Sequence, residues 1–202
     1  EHYQLHADSR VLMTLSRISP EKGIHHLLEA LALVEKSPRL AGADIVVFVC
    51  GEPAFMRGDA YLRRVRSAAD RLQRVRVFFP GYLSGCGKQA YFRLADLFVS
   101  PSEHESYGLT IVEALRSGLP VAASDHAGAE EILRPEYGRM AAYGDPPRRA
   151  ERLAEELSDL LADPEELRRM GARAREASKH MTFADAAGRL LEAVLGMRME
   201  IS

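Results

Sequence analysis

The chain has little cysteine, no long apolar run and no marked excess of charge of either sign. Its two cysteines, Cys50 and Cys86, show no CxxC or Cys/His ligand spacing, which excludes a disulfide framework or a zinc motif and fits a reducing, cytoplasmic setting. The longest apolar run, Ile45 to Cys50, falls far short of the roughly 20 residues that a membrane-spanning helix needs. Basic and acidic side chains number 27 and 29, a formal charge of −2, so no broad field favours nucleic acid or an anionic membrane. Any anion site must therefore be local. No signal segment opens the chain, which starts at Glu1 rather than methionine, and the expectation is a part of something longer. No internal repeat, low-complexity tract or dividing linker is present, so the 202 residues, 47% of them hydrophobic, read as a single domain over residues 1–202.

What is present is alternation. Short β-branched runs at Val11–Leu15, Ile45–Cys50, Val75–Phe79, Leu97–Val99 and Pro120–Ala123 are each followed by a Gly, Ser or Pro cluster and then a helical pattern. Such a sequence predicts an α/β fold: a Rossmann-like, open, mainly parallel sheet with helices on both faces. The first helix is marked by Ile24, Leu27, Leu28, Leu31 and Val34 along one face, with Ser19 as N-cap and Pro20 in its first turn. Arg148–Ala162, Pro164–Ser178 and Phe183–Leu195 predict a helical C-terminal tail. In open parallel sheets ligands sit at the carboxyl ends of strands, so the loops after the strands are where chemistry is sought.

Two loops stand out. Ser16 to Gly23, after the first strand, places Lys22 in the first turn of the predicted helix, where partial positive charge makes a cation unfavourable unless an anion lies between. Phosphate would resolve the conflict, with Arg17 gripping oxygens by its planar fork and Lys22 supplying a point charge. The plain alternative is a Glu21–Lys22 pair on a solvated surface. Pro101 to Thr110, after the fourth strand, leads into a helix containing Ile111, Val112 and Leu115. Glu105 and Glu113 bracket its entry, and the free amides of Tyr107 to Thr110 lie between them as an anion cradle. Carboxylates on either side can accept hydrogen bonds from sugar hydroxyls, and Gly108 permits close backbone approach. The plain alternative makes Glu105 a cap and Glu113 a surface residue.

Together these strings resemble the retaining glycosyltransferases of family 4, or group 1, whose GT-B fold has two facing Rossmann-like domains. Ser16 to Gly23 is similar to that family's Gly-Arg-x-x-x-x-Lys-Gly loop, with Ser16 in place of the glycine, and Glu105 to Glu113 to its E-x7-E motif, with Tyr107 where phenylalanine is frequent. Cys50-Gly51-Glu52-Pro53, Phe79 to Ser84, Pro120 to Ile132 and Tyr137 to Pro146 also follow the family pattern, and Phe183 falls at a late aromatic position. The resemblance implies one half of a GT-B fold, the donor-binding half, with the N-terminal acceptor-binding domain missing from this chain. It further implies a nucleotide-diphosphate sugar as donor, bound near Gly51 and the base-reading pair Tyr82 and Leu83, with the diphosphate at Arg17, Lys22 and the amides of Tyr107, Gly108, Leu109 and Thr110. Glu105 would hold donor-sugar hydroxyls and Glu113 the ribose. No cofactor and no metal are expected, no nucleic-acid partner, and a cytoplasmic location with peripheral contact at the inner membrane through the missing domain. The isolated domain is expected to transfer nothing.

The remaining polar residues have plainer readings. His25 and His26 are expected on the helix surface, His104 and His126 on loop surfaces, Asp125 as the cap of the helix after the fifth strand, and Cys50 in the core. A non-catalytic module of the same fold is the alternative function, and loss of Arg17, Lys22 or Glu105 would have been its sign; none is lost. A dinucleotide-dependent oxidoreductase needs a G-x-G-x-x-G turn after the first strand, which Ser16 to Gly23 does not supply.

Overall fold

A computed structural model describes residues 3–54, 58–144 and 146–182. The predicted helix Phe183–Leu195 and the Phe183 position lie outside the described residues. Among the described residues six strands, β1 (Arg10–Leu15), β2 (Ile45–Cys50), β3 (Val75–Gly81), β4 (Leu97–Ser100), β5 (Val121–Ser124) and β6 (Gly138–Ala141), form one sheet in the order β3-β2-β1-β4-β5-β6. All five pairings are parallel. The chain winds outward from β1 to β3, returns to β4 beside β1, and winds outward again on the other side. Strand order therefore reverses between β1 and β4, where loops leave in opposite directions and open a crevice at the carboxyl edge.

Among the described residues seven α-helices cover the sheet: α1 (Ile24–Val34), α2 (Gly58–Ala69), α3 (Gly85–Leu94), α4 (Leu109–Arg116), α5 (Ala127–Ile132), α6 (Arg149–Ala162) and α7 (Pro164–Ala177). Because side chains alternate across a strand, Leu12, Val47 and Val49 point into a core shared with α1, α2 and α6. Val11, Met13, Val46 and Phe48 point into a second core with α3, α4 and α5. With both faces covered, every residue of β2 is buried, which is why its sequence is a continuous apolar run rather than an alternating one.

Two local readings need correction. Ser19 and Pro20 open a short 3₁₀ turn, Pro20–Lys22, rather than α1 itself. Ser19 does not cap by its side chain; its hydroxyl donates to Glu21 Oε1 at 2.5 Å. Gly23, left-handed at φ 63°, ends the turn, and α1 starts at Ile24. Lys22 thus stands just ahead of the helix instead of in its first turn. The strand β6 was not foreseen, since Gly138-Arg139-Met140-Ala141 has no β-branched residue to signal it.

Candidate functional site

The loops after β1 and β4 meet at the sheet's reversal point and are joined three ways. The Glu103 amide donates to the Glu21 carbonyl at 2.9 Å. A Cβ on Gly23 would stand 1.8 Å from the Pro101 carbonyl oxygen, so only glycine lets the backbones come this close. Lys22 Nζ lies 2.6 Å from Glu105 Oε2, with both side chains largely withdrawn from solvent. The pairing Glu21–Lys22 is not formed. Glu21 is engaged by Ser19, whose hydrogen bond is the main reason that its carboxyl sits below the usual range.

The far side of the second loop is held equally closely. The Glu105 carbonyl accepts from the Gly128 amide at 2.9 Å, and Gly108, left-handed at φ 59°, packs against Gly128 at the start of α5. His126 is buried and caps α5, its Nδ1 accepting from the Ala129 amide at 3.1 Å while Nε2 lies 3.3 Å from Ser100 Oγ. The loop-surface expectation for His126 is corrected accordingly, because a helix entry packed under the sheet edge needs a buried cap. Burial lowers the His126 pKa, keeping its ring neutral as a cap acceptor. Asp125 is not that cap; its Oδ1 accepts from the Tyr143 amide at 2.9 Å.

Between these supports lies a cavity of about 50 Å³ bordered by Thr14, Ser16, Ser100, Ser102, Glu105 and Thr110. The amides of Leu109 and Thr110, in the first turn of α4, find no acceptor among the described residues. Arg17 is exposed; its carbonyl accepts from Ser16 Oγ at 3.0 Å, but its guanidinium makes no hydrogen bond or ion pair among the described residues and is available to a ligand. Tyr107 and Leu109 are 78% and 72% exposed beside the same turn.

The other site residues fall into two groups. Gly51, at φ 134°, seats the end of β2 against the first loop: a Cβ there would stand 1.8 Å from the Ser16 carbonyl oxygen. Tyr82, 69% exposed, and the partly buried Leu83 follow β3 on the loop entering α3. Glu113 does not join Glu105; its Oε1 pairs with Lys88 Nζ of α3 at 2.8 Å. Lys88 escaped the sequence reading. Its signal was there, since a lysine in the first turn of a helix raises the same conflict with helix polarity that drew attention to Lys22.

His25 and His26 are half-buried rather than exposed on the helix surface. His26 is 11% exposed by side chain, sandwiched between the His25 ring, 3.9 Å away centre to centre, and Glu103. Burial, with His26 second, lowers the His25 pKa to about 4. His104 is exposed, as expected, and Cys50 is buried in the core, where burial pushes its thiol up to about 12.

A six-stranded parallel sheet reversing at β1/β4, with helices on both faces and a helical C-terminal part, is one Rossmann-like half of a GT-B fold. The chain belongs to the group 1 glycosyl transferases, whose family model matches residues 2–177. It is 32% identical over 193 residues to the D-inositol 3-phosphate glycosyltransferase of Thermobispora bispora, covering 93% of this chain and 43% of that protein. It is 30% identical over 141 residues to the mannosylfructose-phosphate synthase of Agrobacterium fabrum, covering 69% of this chain and 30% of that protein. Among solved structures, an Anabaena protein crystallised with UDP and glucose superposes with a TM-score of 0.74 at 24% identity, over 95% of this chain and 49% of the other. The chain thus spans less than half the length of each of these three proteins. No helix among the described residues is long and apolar enough to cross a membrane.

Proposed function

We propose that this chain is the donor-binding half of a retaining, hexosyltransferase-type glycosyltransferase that holds a nucleotide-diphosphate sugar at the reversal point of its sheet. The observation that carries this reading is the convergence of Lys22, Glu105 and the unengaged amides of Leu109 and Thr110 on one crevice. The hard step in sugar transfer is departure of a nucleoside diphosphate while positive charge grows on the anomeric carbon. Preorganised donors aimed at the diphosphate stabilise the charge that develops on it. Lys22 and Arg17 supply cations, and the start of α4 supplies oriented N–H groups.

Glu105 then has two tasks. Its carboxylate aligns Lys22, and it accepts hydrogen bonds from donor-sugar hydroxyls. Glu113 accepts from the ribose, with Lys88 positioning it, and backbone groups at Tyr82 and Leu83 read the base. No nucleophile is assigned, and the step needs no metal on the diphosphate, because Arg17, Lys22 and the amides provide the countercharge. Gly51 acts by positioning the first loop. The acceptor would be bound by a facing N-terminal domain, and the assembled enzyme would work in the cytoplasm, with peripheral contact at the inner membrane through that domain.

Calorimetric titration with UDP, GDP and ADP tests this reading. Saturable binding of one of them supports it and names the base; no binding of any at millimolar concentration contradicts it.

A further inference from the structure

We propose that His25, His26 and Glu103 form a binding site for a divalent transition-metal ion of the zinc or cobalt type, which fastens the start of α1 to the loop carrying Glu105. One ligand atom from each of the three residues lies within 4.8 Å of the others. His26 Nε2 and Glu103 Oε1 are 3.2 Å apart. In a tetrahedral zinc site with metal–ligand bonds of about 2.0–2.1 Å, neighbouring ligand atoms stand roughly 3.3 Å apart. Two imidazoles and one carboxylate are a ligand set suited to zinc or cobalt, with room for solvent in the fourth position.

Each of the three has an outer partner that fixes its orientation, a recurrent feature around metal ligands. The Tyr61 hydroxyl is 2.8 Å from His25 Nδ1. Glu29 Oε2 is 3.6 Å from His26 Nδ1, a position from which it can draw the ring proton to Nδ1 when a cation takes the place of the proton that Nε2 shares with Glu103. Arg149 Nη1 is 3.0 Å from Glu103 Oε1 and, since a carboxylate oxygen has two lone pairs, can share it with a cation. Beside them the buried Tyr143 hydroxyl has no hydrogen-bond partner among the described residues, while its ring packs edge-on to His26 at 5.7 Å. A hydrogen-bonded network alone accounts for the His26–Glu103–Arg149 contacts. It does not account for a second imidazole set 3.9 Å from the first, centre to centre, and tilted by 40°, or for the unpartnered hydroxyl.

The site is separate from the diphosphate crevice and takes no part in transfer. Its effect passes through the loop, because Glu103 also donates its amide to Glu21 and precedes Glu105 by two residues.

The test is a titration of the tag-free chain with Co²⁺, read by visible absorption, followed by displacement with Zn²⁺; no nucleotide is present, so its outcome is independent of the proposed function. The expected result is one equivalent of Co²⁺ with the absorption of a low-coordinate site, reversed by Zn²⁺. His26→Ala and Glu103→Gln should each weaken binding by at least about tenfold, the scale seen even for outer-partner changes, whereas His104→Ala binds as the parent does. Thermal melting reports whether each variant folds, and if one does not, the other decides. Failure of the parent to take up one equivalent overturns the site, as does unchanged affinity in a folded variant.

Discussion

Lys22 Nζ and Glu105 Oε2, 83 residues apart in the chain, lie 2.6 Å apart across the two loops that face each other at the reversal of strand order. The pair has a structural and a chemical side that can be separated. The Glu105 side chain is 28% exposed, so water can reach it once Lys22 is removed, and ion pairs that solvent reaches contribute little to stability, typically below about 1 kcal/mol. A charge-assisted hydrogen bond to phosphate contributes more, about 1.5–3 kcal/mol. Lys22→Ala is therefore expected to lower the unfolding free energy by no more than about 1 kcal/mol, measured by urea unfolding, while removing a larger share of nucleotide affinity. Loss of stability well above that value would make the pair mainly a structural clamp.

The close approach of the loops depends on two glycines. Gly23→Ala and Gly51→Ala would each put a Cβ 1.8 Å from a backbone carbonyl oxygen, at φ values of 63° and 134° that side chains rarely adopt. Backbone strain of this kind costs about 1–3 kcal/mol before the clash is counted. Each variant is expected to lose more than about 2 kcal/mol in urea unfolding, with nucleotide binding weakened as the loops part. As a control, Gly42→Ala, also left-handed at φ 85° but with open space around its Cβ, should cost less.

Glu113 pairs with Lys88 on the neighbouring helix and is proposed to hold the ribose. If its carboxylate accepts from ribose hydroxyls, Glu113→Ala should weaken nucleotide binding by about 1.5–3 kcal/mol, the range for hydrogen bonds to charged groups. A deoxyribose analogue of the nucleotide should bind the parent as weakly as the nucleotide binds the variant, and the two losses should not add. Full additivity in calorimetry would separate Glu113 from the sugar. Lys88→Ala, removing one side of a half-exposed pair, should change stability by less than about 1 kcal/mol.

Acidification should destabilise the fold in a defined window. His25 titrates near its ordinary value, about 6.5, in the unfolded chain, but burial lowers it to about 4 when folded. Between those values the unfolded chain binds more protons, so stability falls as pH drops from about 6.5 toward 4. His126 is shifted in the same direction by its burial and adds to the trend. The urea midpoint should fall on going from pH 7 to pH 4.5, and His25→Gln should make that fall shallower. An unchanged slope in His25→Gln would mean that His25 is not held neutral by the fold.

Much of the fold was legible because its signals are local. The β-branched runs of β1 to β5 and the apolar stripe Ile24–Val34 report burial directly through residue type and period. β6 was not, since Gly138–Ala141 is a strand by virtue of pairing with β5 rather than by its own composition. At the site, Lys22, Glu105 and the amides of α4 drew attention as separate oddities of charge and helix polarity, although Lys22 stands ahead of α1 rather than in its first turn. That Lys22 meets Glu105 while Glu113 meets Lys88 was not, because it depends on which loops the strand order places side by side. His25, His26 and Glu103 were illegible for the same reason: two adjacent histidines look like a solvated helix face until the loop after β4 is laid across them.

The most direct test of a diphosphate crevice is calorimetry of the chain and its Lys22→Ala variant with a nucleoside diphosphate and the corresponding monophosphate. The expected result is that the parent prefers the diphosphate and that Lys22→Ala loses most of that preference, by about tenfold or more, while its affinity for the monophosphate changes little. Equal loss for both nucleotides, or a preference untouched by the substitution, would contradict the placement of the diphosphate between Lys22 and the start of α4.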